Sequence, residues 1–300
     1  MGKEKTYPTE ALKCWSKAKE LRFKYYQDYV EAREKGGIRW SGSAWAFNAI
    51  PSGLGEDVYS VTGEPYGATS TYFEDFSLQC LEAAEKAGIA RDLCGYLRNY
   101  WGGLILDKFI LPDGTILDEW PVADFLFSSH VCCSHAKWYQ HAGELEGGIP
   151  LRAIDVSVGP YPNIPDREGA LRYIVQQMNE AIEMMQEVTG RDYSDDLLIE
   201  SINNECRSLS LWAEICTYNK NIPAPLDEKT MFSLYVLTTL NPHRKEVADF
   251  YHELRDEVKD RAERGIAAVA HERYRVITDS QPPWAALKVF RYMETVSYTH

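Results

Sequence analysis

Two short segments hold the residues whose types and spacing point most directly to chemistry. Cys94 stands in DLCGYLRNY, and the neighbouring thiols Cys132 and Cys133 stand in VCCSHAKWYQH. Thiolates are the ligands that soft metals prefer, above all iron–sulfur clusters. Free cysteine is also among the most often buried residues, so packing and a nucleophilic thiol remain open alternatives to a metal site. Three histidines surround the cysteine pair and are either zinc ligands or loop residues that bond backbone: His130, His135 and His141.

Several familiar motifs are absent from the sequence. It contains no GxxxxGK[ST], no GxGxxG, no GxSxG and no HExxH, and it has no CxxC pair. Nucleotide hydrolysis, dinucleotide binding, a zinc ribbon and a thioredoxin-type site are therefore unsupported. The other four cysteines lie on apolar faces of predicted helices and are interpreted as packing residues: Cys14, Cys80, Cys206 and Cys216.

The segment around Cys132 reads as a strand followed by a helix and a second strand. The apolar run VADFLFSSH is typical of a buried strand, and IPLRAIDVS follows after the predicted helix. This order predicts a parallel α/β unit. Open parallel sheets bind ligands at the carboxyl ends of their strands, which is where Cys132 would lie.

The rest of the chain supplies further predicted elements. Glycines and prolines between Pro51 and Ala68 predict tight turns, or backbone that passes close to a ligand. Asn241 and Pro242 are good first residues for a helix with an inner face of Val247, Phe250, Leu254 and Val258. Other predicted features are helices over 8–35, 73–87, 90–101 (carrying Cys94), 195–218 and from 285, a turn at 112–114, a helix stop at Gly190, and strands in IRWSGSAWAF and YRVIT.

These elements predict an α/β fold, in which a Rossmann-like parallel-sheet domain precedes a helical domain and the start of a second α/β domain. The expected division is an N-terminal helical segment over 1–37, the α/β domain that contains Cys94 and Cys132 over 38–163, the helical domain over 164–268, and the beginning of a truncated second α/β domain over 269–300.

Composition excludes other classes of function. The chain of 300 residues has 32 Lys and Arg against 45 Asp and Glu, a net charge of −13. This balance argues against non-specific nucleic-acid binding and against attachment to an anionic membrane surface. No apolar run is long enough to span a bilayer, and no export signal is present. With seven cysteines and no such signal, the sequence predicts reduced thiols or metal ligands, not a disulfide framework, and a cytoplasmic protein.

The runs EKAGIARDLCGYLRNYWG and VADFLFSSHVCCSHAKWYQ resemble subunits of ATP-dependent, class I benzoyl-CoA reductase. Those subunits belong to the wider 2-hydroxyacyl-CoA dehydratase component family, and the resemblance extends from about Ile38 to Met293. It implies a [4Fe-4S] cluster held by three cysteines. Cys94 matches the first ligand and Cys132 the second, with Cys133 in the adjacent position. The third ligand is expected beyond residue 300, so the sequence resembles a truncated chain that would be inactive alone.

The resemblance also implies a reaction and partners. A separate ATP-hydrolysing activator would inject electrons one at a time, and a paralogous cluster-carrying subunit would complete the enzyme. The expected reaction is reduction of the aromatic ring of benzoyl-CoA to a cyclic diene, with backbone of residues 48–68 near the acyl-CoA substrate. An aromatic-rich segment, IRWSGSAWAFNAIPSGLG, favours this reaction. The alternatives are a 2-hydroxyacyl-CoA dehydratase subunit, and a non-catalytic interaction subunit whose cysteines only pack.

Overall fold

The computed structural model describes residues 5–43, 47–130, 132–156, 166–272, 275 and 282–296. It divides into two compact units, here called the sheet unit (Phe23–Ser201) and the helical unit (Met1–Arg22 with Ile202–His300). In the described part of the chain, no helix combines the length and apolar character that a membrane crossing requires. The division into four segments expected from the sequence stays a prediction.

The elements of the described residues are as follows. The strands are β1 (Ile38–Gly42), β2 (Val58–Thr62), β3 (Phe109–Ile110), β4 (Ile116–Leu117), β5 (Phe125–Ser129) and β6 (Leu151–Ile154). The helices are α1 (Trp15–Glu31), α2 (Gly63–Tyr72), α3 (Glu74–Lys86), α4 (Gly95–Leu106), α5 (Cys133–Leu145), α6 (Arg167–Thr189), α7 (Asp195–Tyr218), α8 (Glu228–Tyr235), α9 (Leu237–Leu240), α10 (Lys245–Arg264) and α11 (Lys288–Val296). Short 3-10 helices occupy Arg33–Lys35, Ile50–Leu54 and Trp284–Ala286.

The central sheet is parallel, with strand order β2-β1-β5-β6. Ile38 pairs with Val58 in the first ladder, and Leu126 pairs with Leu151 in the last. The predicted strand–helix–strand unit is thus confirmed as β5-α5-β6, and the fold is α/β. After β1 the chain moves to one side of that strand to form β2, and later it returns on the other side to form β5. The strand order therefore reverses between β1 and β5.

Helices cover both faces of this sheet. On one face, the buried rings of Trp40, Phe125 and Phe127 form a core with Ala181 and Met185 of α6. On the other face, Ser41 Oγ and the hydroxyl of Tyr100 on α4 are 2.7 Å apart. The indole Nε1 of Trp101 donates to the Trp138 carbonyl of α5 at 3.1 Å, which joins the two helices of that layer.

Two local predictions from turn chemistry are confirmed. The segment 112–114 is the turn of the β3–β4 hairpin, where Gly114 adopts a φ of 93° and the Leu111 amide donates to the Thr115 carbonyl. Gly190 ends α6 with a φ of 66°. In both positions a side chain would strain the left-handed backbone, which explains why glycine stands there.

The glycine-rich segment 51–68 contains tight turns, as its glycines predict: the 3-10 helix Ile50–Leu54 is followed by Gly55, with a φ of 145°, and a turn at Glu56 and Asp57. The prediction missed the regular elements of the same segment, which are β2 and the start of α2. Pro65 is compatible with α2 because it lies in the first helical turn, where backbone amides have no intrahelical acceptor. The predicted helix start at Asn241 is wrong, since α10 begins at Lys245. The Arg244 amide donates to the Asn241 carbonyl at 3.0 Å, so Asn241 and Pro242 begin a turn.

The helical unit has its own apolar core. The predicted inner face of α10 is confirmed, since Val247, Phe250, Leu254 and Val258 are all buried. Within this unit, the N-terminal segment is linked to α10 by ion pairs of Lys17 with Glu253 and of Glu10 with Arg264. The helix expected from residue 285 is present as α11. Apart from Arg275, the strand expected at YRVIT lies outside the described residues.

Candidate functional site

At the carboxyl edge of the sheet, β1 and β5 approach each other closely where the strand order reverses, and this contact is here called the seam. A Cβ on Gly42 would lie 1.7 Å from the Phe127 carbonyl oxygen, so only glycine lets β1 and β5 approach this closely here. Just beyond, the Ser129 amide and the Ser128 hydroxyl both donate to Ser43 Oγ at 3.2 Å. Open α/β sheets place ligand crevices outside this point of reversal. The candidate site is therefore expected at the edge of the sheet beside this seam.

Both predicted cluster cysteines occupy the N-cap position of a helix. Cys132 follows β5 and occupies the N-cap of α5, where it is exposed. Cys94 occupies the N-cap of α4 and is partly exposed. The prediction that Cys94 lies within a helix over 90–101 is wrong in its boundary, because α4 begins at Gly95. Neither thiol caps its helix with a hydrogen bond. Helix N-termini carry partial positive charge, so both positions favour the binding of an anionic group.

These two helix starts approach the same stretch of α2. A Cβ on Gly67 would lie 2.8 Å from the Tyr96 Cα, so the first turn of α4 packs directly on the α2 backbone. In the first turn of α5, His135 Nε2 hydrogen-bonds to Oε1 of Glu64. Glu64 and Gly67 are three residues apart on α2, an axial rise of about 4.5 Å. The cysteine-bearing ends of α4 and α5 are thereby brought to adjacent turns of one helix.

The three histidines have separate surroundings. His135 is buried, and its ring stacks on those of Trp138 and Tyr139 at 5.9 and 6.3 Å between centroids. His130 Nδ1 lies 3.4 Å from a carboxylate oxygen of Asp155, and His141 pairs with Glu144 at 3.2 Å. Within the described ranges, no group of three or more His, Cys, Asp or Glu side chains could hold a metal ion. The zinc interpretation of the histidines therefore gains no support from the described residues.

The remaining cysteines differ in environment. Cys80 is buried in α3, and burial raises the pKa of its thiol to about 12. Burial also raises the pKa of Cys14 and of Cys216, which matches their interpretation as packing residues. Cys206 is exposed on α7, so its expected packing role is wrong. The Cys133 backbone begins α5, and its side chain lies outside the described part of the structure.

The donor set fits an iron–sulfur cluster in type, although two thiols do not complete one. Cys94 and Cys132 supply the soft ligands that iron–sulfur clusters use. Each stands at a helix N-terminus, where partial positive charge compensates an anionic cluster. The Glu64–His135 contact beside them was missed by sequence reasoning, because Glu64 lies in the segment interpreted as turns. Its only sequence signal is an acidic residue shortly after a strand.

Comparison with known proteins places the chain in a family. A sequence model described as 2-hydroxyglutaryl-CoA dehydratase, D-component, matches residues 45–298. The chain belongs to this family. The family includes dehydratase components of the type that the sequence resembles, so that part of the expectation is confirmed.

Curated relatives with dehydratase names also match the chain, at 25–27% identity. The chain is 25% identical over 263 residues to the (R)-phenyllactyl-CoA dehydratase alpha subunit of Clostridium sporogenes, which covers 86% of this chain and 61% of that protein. It is 27% identical over 169 residues to the alpha subunit of (R)-2-hydroxyglutaryl-CoA dehydratase of Acidaminococcus fermentans, covering 56% and 35%. Lactoyl-CoA dehydratase subunit alpha of Anaerotignum propionicum is 27% identical over 202 residues, covering 64% and 47%. The chain thus spans between 35% and 61% of the length of these relatives.

Proposed function

We propose that this chain is an alpha-type, cluster-carrying subunit of a 2-hydroxyacyl-CoA dehydratase. The observation that carries the proposal is the placement of Cys94 and Cys132 at two helix starts that approach adjacent turns of α2. Membership of a dehydratase component family supports the same conclusion.

The dehydratase reaction is preferred to benzoyl-CoA reduction. The matched relatives are named as dehydratase alpha subunits acting on phenyllactyl-CoA, 2-hydroxyglutaryl-CoA and lactoyl-CoA. One of these substrates carries an aromatic ring, so aromatic residues near β1 are equally compatible with a dehydratase. The aromatic segment therefore does not discriminate between the two reactions, and the family and its relatives favour dehydration.

In this proposal the protein binds and orients the cluster. Cys94 and Cys132 are two of its ligands, and the third cysteine implied by the family resemblance stays a prediction. A [4Fe-4S] cluster bound there would supply low-potential one-electron chemistry. The N-termini of α4 and α5 stabilise negative charge, and the packing of Tyr96 on Gly67 holds the Cys94 end in place. The serines of the seam beside β1 and β5 are buried: Ser43, Ser128 and Ser129.

The proposed partners follow from the same reasoning. A paralogous cluster-carrying subunit, an ATP-hydrolysing activator and an acyl-CoA thioester would complete the enzyme. The names of the relatives as alpha subunits support a partner subunit. The absence of a nucleotide-binding motif from the sequence is compatible with ATP hydrolysis by a separate protein.

Iron and sulfide analysis tests the cluster after anaerobic expression of the full-length chain, including the expected third cysteine, with the partner subunit. Wild type is expected to be coloured and to give the electron paramagnetic resonance signal of a reduced cluster. Cys94→Ser and Cys132→Ser should each lose most of the iron. Cys206→Ser is the matched control, since that thiol is also exposed, and it should keep the iron. Colourless, iron-free wild type would contradict the proposal and favour a non-catalytic interaction subunit.

Substrate trials separate the two reactions. The complex, with activator, ATP and reductant, is incubated either with a 2-hydroxyacyl-CoA or with benzoyl-CoA. Formation of the 2-enoyl-CoA is expected from the first substrate, and no diene from the second. Diene formation without dehydration would reverse the assignment in favour of benzoyl-CoA reductase.

A further inference from the structure

A buried polar pair lies at the start of α5, within one turn of Cys132. The side chains of His135 and Glu64 are only 5% and 10% exposed, and they hydrogen-bond to each other. Burying two such polar groups has a desolvation cost that their mutual bond must offset. The His135 Nδ1 atom is buried without a hydrogen-bond partner among the described residues, so the ring is held through Nε2 and by stacking.

The first turn of α5 has few other anchors. Its N-cap Cys132 makes no side-chain cap, and helix ends without caps fray readily. The next links lie one turn further on, where the Trp138 carbonyl accepts from Trp101 and the Tyr139 hydroxyl donates to the Gly42 carbonyl at 2.6 Å. Among the described residues, the bond to Glu64 is thus the side-chain hydrogen bond of α5 closest to Cys132.

The same pair connects the two cysteine segments. The His135 amide donates to the Cys132 carbonyl at 3.0 Å, so the imidazole and the thiol residue share one turn. Glu64 and Gly67 lie three residues apart on α2, and the Gly67 backbone contacts Tyr96. Tyr96 is the second residue after Cys94. The connection from one thiol segment to the other consists of one side-chain hydrogen bond, one helical turn and one backbone contact.

We propose that His135 is a positioning residue, which through Glu64 fixes the separation of the Cys94 and Cys132 thiols. The consequence for the cluster rests on the proposed function, because it requires that these thiols are ligands. Removing the imidazole should let the first turn of α5 move and should weaken ligation by Cys132. The role needs only a hydrogen-bond donor to Glu64, so glutamine at this position should restore much of it.

Cluster retention tests this role. His135→Ala, His135→Gln and the control Lys137→Ala are purified anaerobically with the partner subunit. Lys137 lies on the same helix, is exposed and hydrogen-bonds to Gln140. Under chelator challenge, His135→Ala is expected to lose iron about 10-fold faster than wild type, as for other outer-shell partners of metal ligands. Its cluster resonance signal should also shift or broaden. His135→Gln should recover towards wild type, and Lys137→Ala should not differ from it.

A second measurement needs no cluster. Nitroxide labels are placed on Cys94 and Cys132 in a chain whose other five cysteines are alanine. The distance distribution between the labels should broaden in His135→Ala and stay narrow in Lys137→Ala, at equal helix content by circular dichroism. Unchanged distances and unchanged iron retention in His135→Ala would overturn the positioning role. An iron-free wild type in which the distances still respond to His135 would refute the cluster assignment but not the positioning role.

Discussion

Glu146 provides a quantitative test of how the sheet unit is packed. This residue follows the last turn of α5, and its Oε2 accepts from the Ala123 amide at 2.9 Å. Burial raises the pKa of Glu146 from 4.5 to about 7, although the Ala123 amide, the Tyr100 hydroxyl and the charge of Arg33 oppose the shift. The folded protein therefore holds a proton on Glu146 at pH values where the unfolded chain has released it.

The sign and size of the effect follow from this difference. Between pH 4.5 and 7 the folded state binds more protons than the unfolded state, so the free energy of unfolding falls as pH rises. Each pKa unit corresponds to about 1.4 kcal/mol, so the free energy of unfolding of wild type falls by about 3 kcal/mol across this pH range. Glu146→Gln keeps a carbonyl oxygen for the Ala123 amide and has no proton to lose. Its stability relative to wild type should rise by about 3 kcal/mol from pH 4.5 to pH 8.

Urea unfolding followed by tryptophan fluorescence, at several pH values across this window, measures that difference. The matched control is Glu144→Gln, which removes one charge from the same helix end, where the side chain is 64% exposed. For the control, the difference from wild type should stay nearly constant. A difference between Glu146→Gln and wild type that does not depend on pH would refute the argument, since it would mean that the folded protein ionises Glu146 without cost.

Two further changes test packing elsewhere. Gly67→Ala should lower the free energy of unfolding by about 1–3 kcal/mol in urea titration, because the added Cβ would lie 2.8 Å from the Tyr96 backbone. Gly95→Ala is the control and should be tolerated, because a Cβ added there has no neighbouring atom within 4 Å. Burial lowers the pKa of His243 from 6.5 to about 3, so the unfolded chain gains a proton first as pH falls. The free energy of unfolding of wild type should fall by about 2 kcal/mol between pH 6.5 and 5, and His243→Gln should remove that fall. An equal fall in both proteins, or the same rescue by the control His252→Gln at an exposed position, would contradict this prediction.

Local patterns predicted those elements whose formation depends on neighbouring residues. The helix Asp195–Tyr218 has the predicted bounds, and β5 lies within the apolar run that predicted a buried strand. Both signals are periodic or continuous over many residues, so a single tertiary contact does not override them. Turn chemistry was equally local at residues 112–114.

The segment 51–68 shows where such reasoning fails. Its glycines and Pro65 favour turns when only neighbours in sequence are considered. In the folded protein, Gly63 begins α2, and Gly67 permits close packing on Tyr96. Contact with α4 and α5 stabilises this short helix, and those helices come later in the chain. Local propensity cannot represent a contact of that kind.

For the candidate site, the sequence by itself determined the chemistry of the donors. It identified the two cysteine segments, and it predicted that Cys132 follows a parallel strand at the carboxyl edge of a sheet. Only the tertiary structure decided that Cys94 and Cys132 both stand at helix N-caps, and that their helices approach adjacent turns of α2. The physical reason is that side-chain type and local periodicity are properties of neighbouring residues. The approach of two distant segments depends instead on the packing of the whole unit.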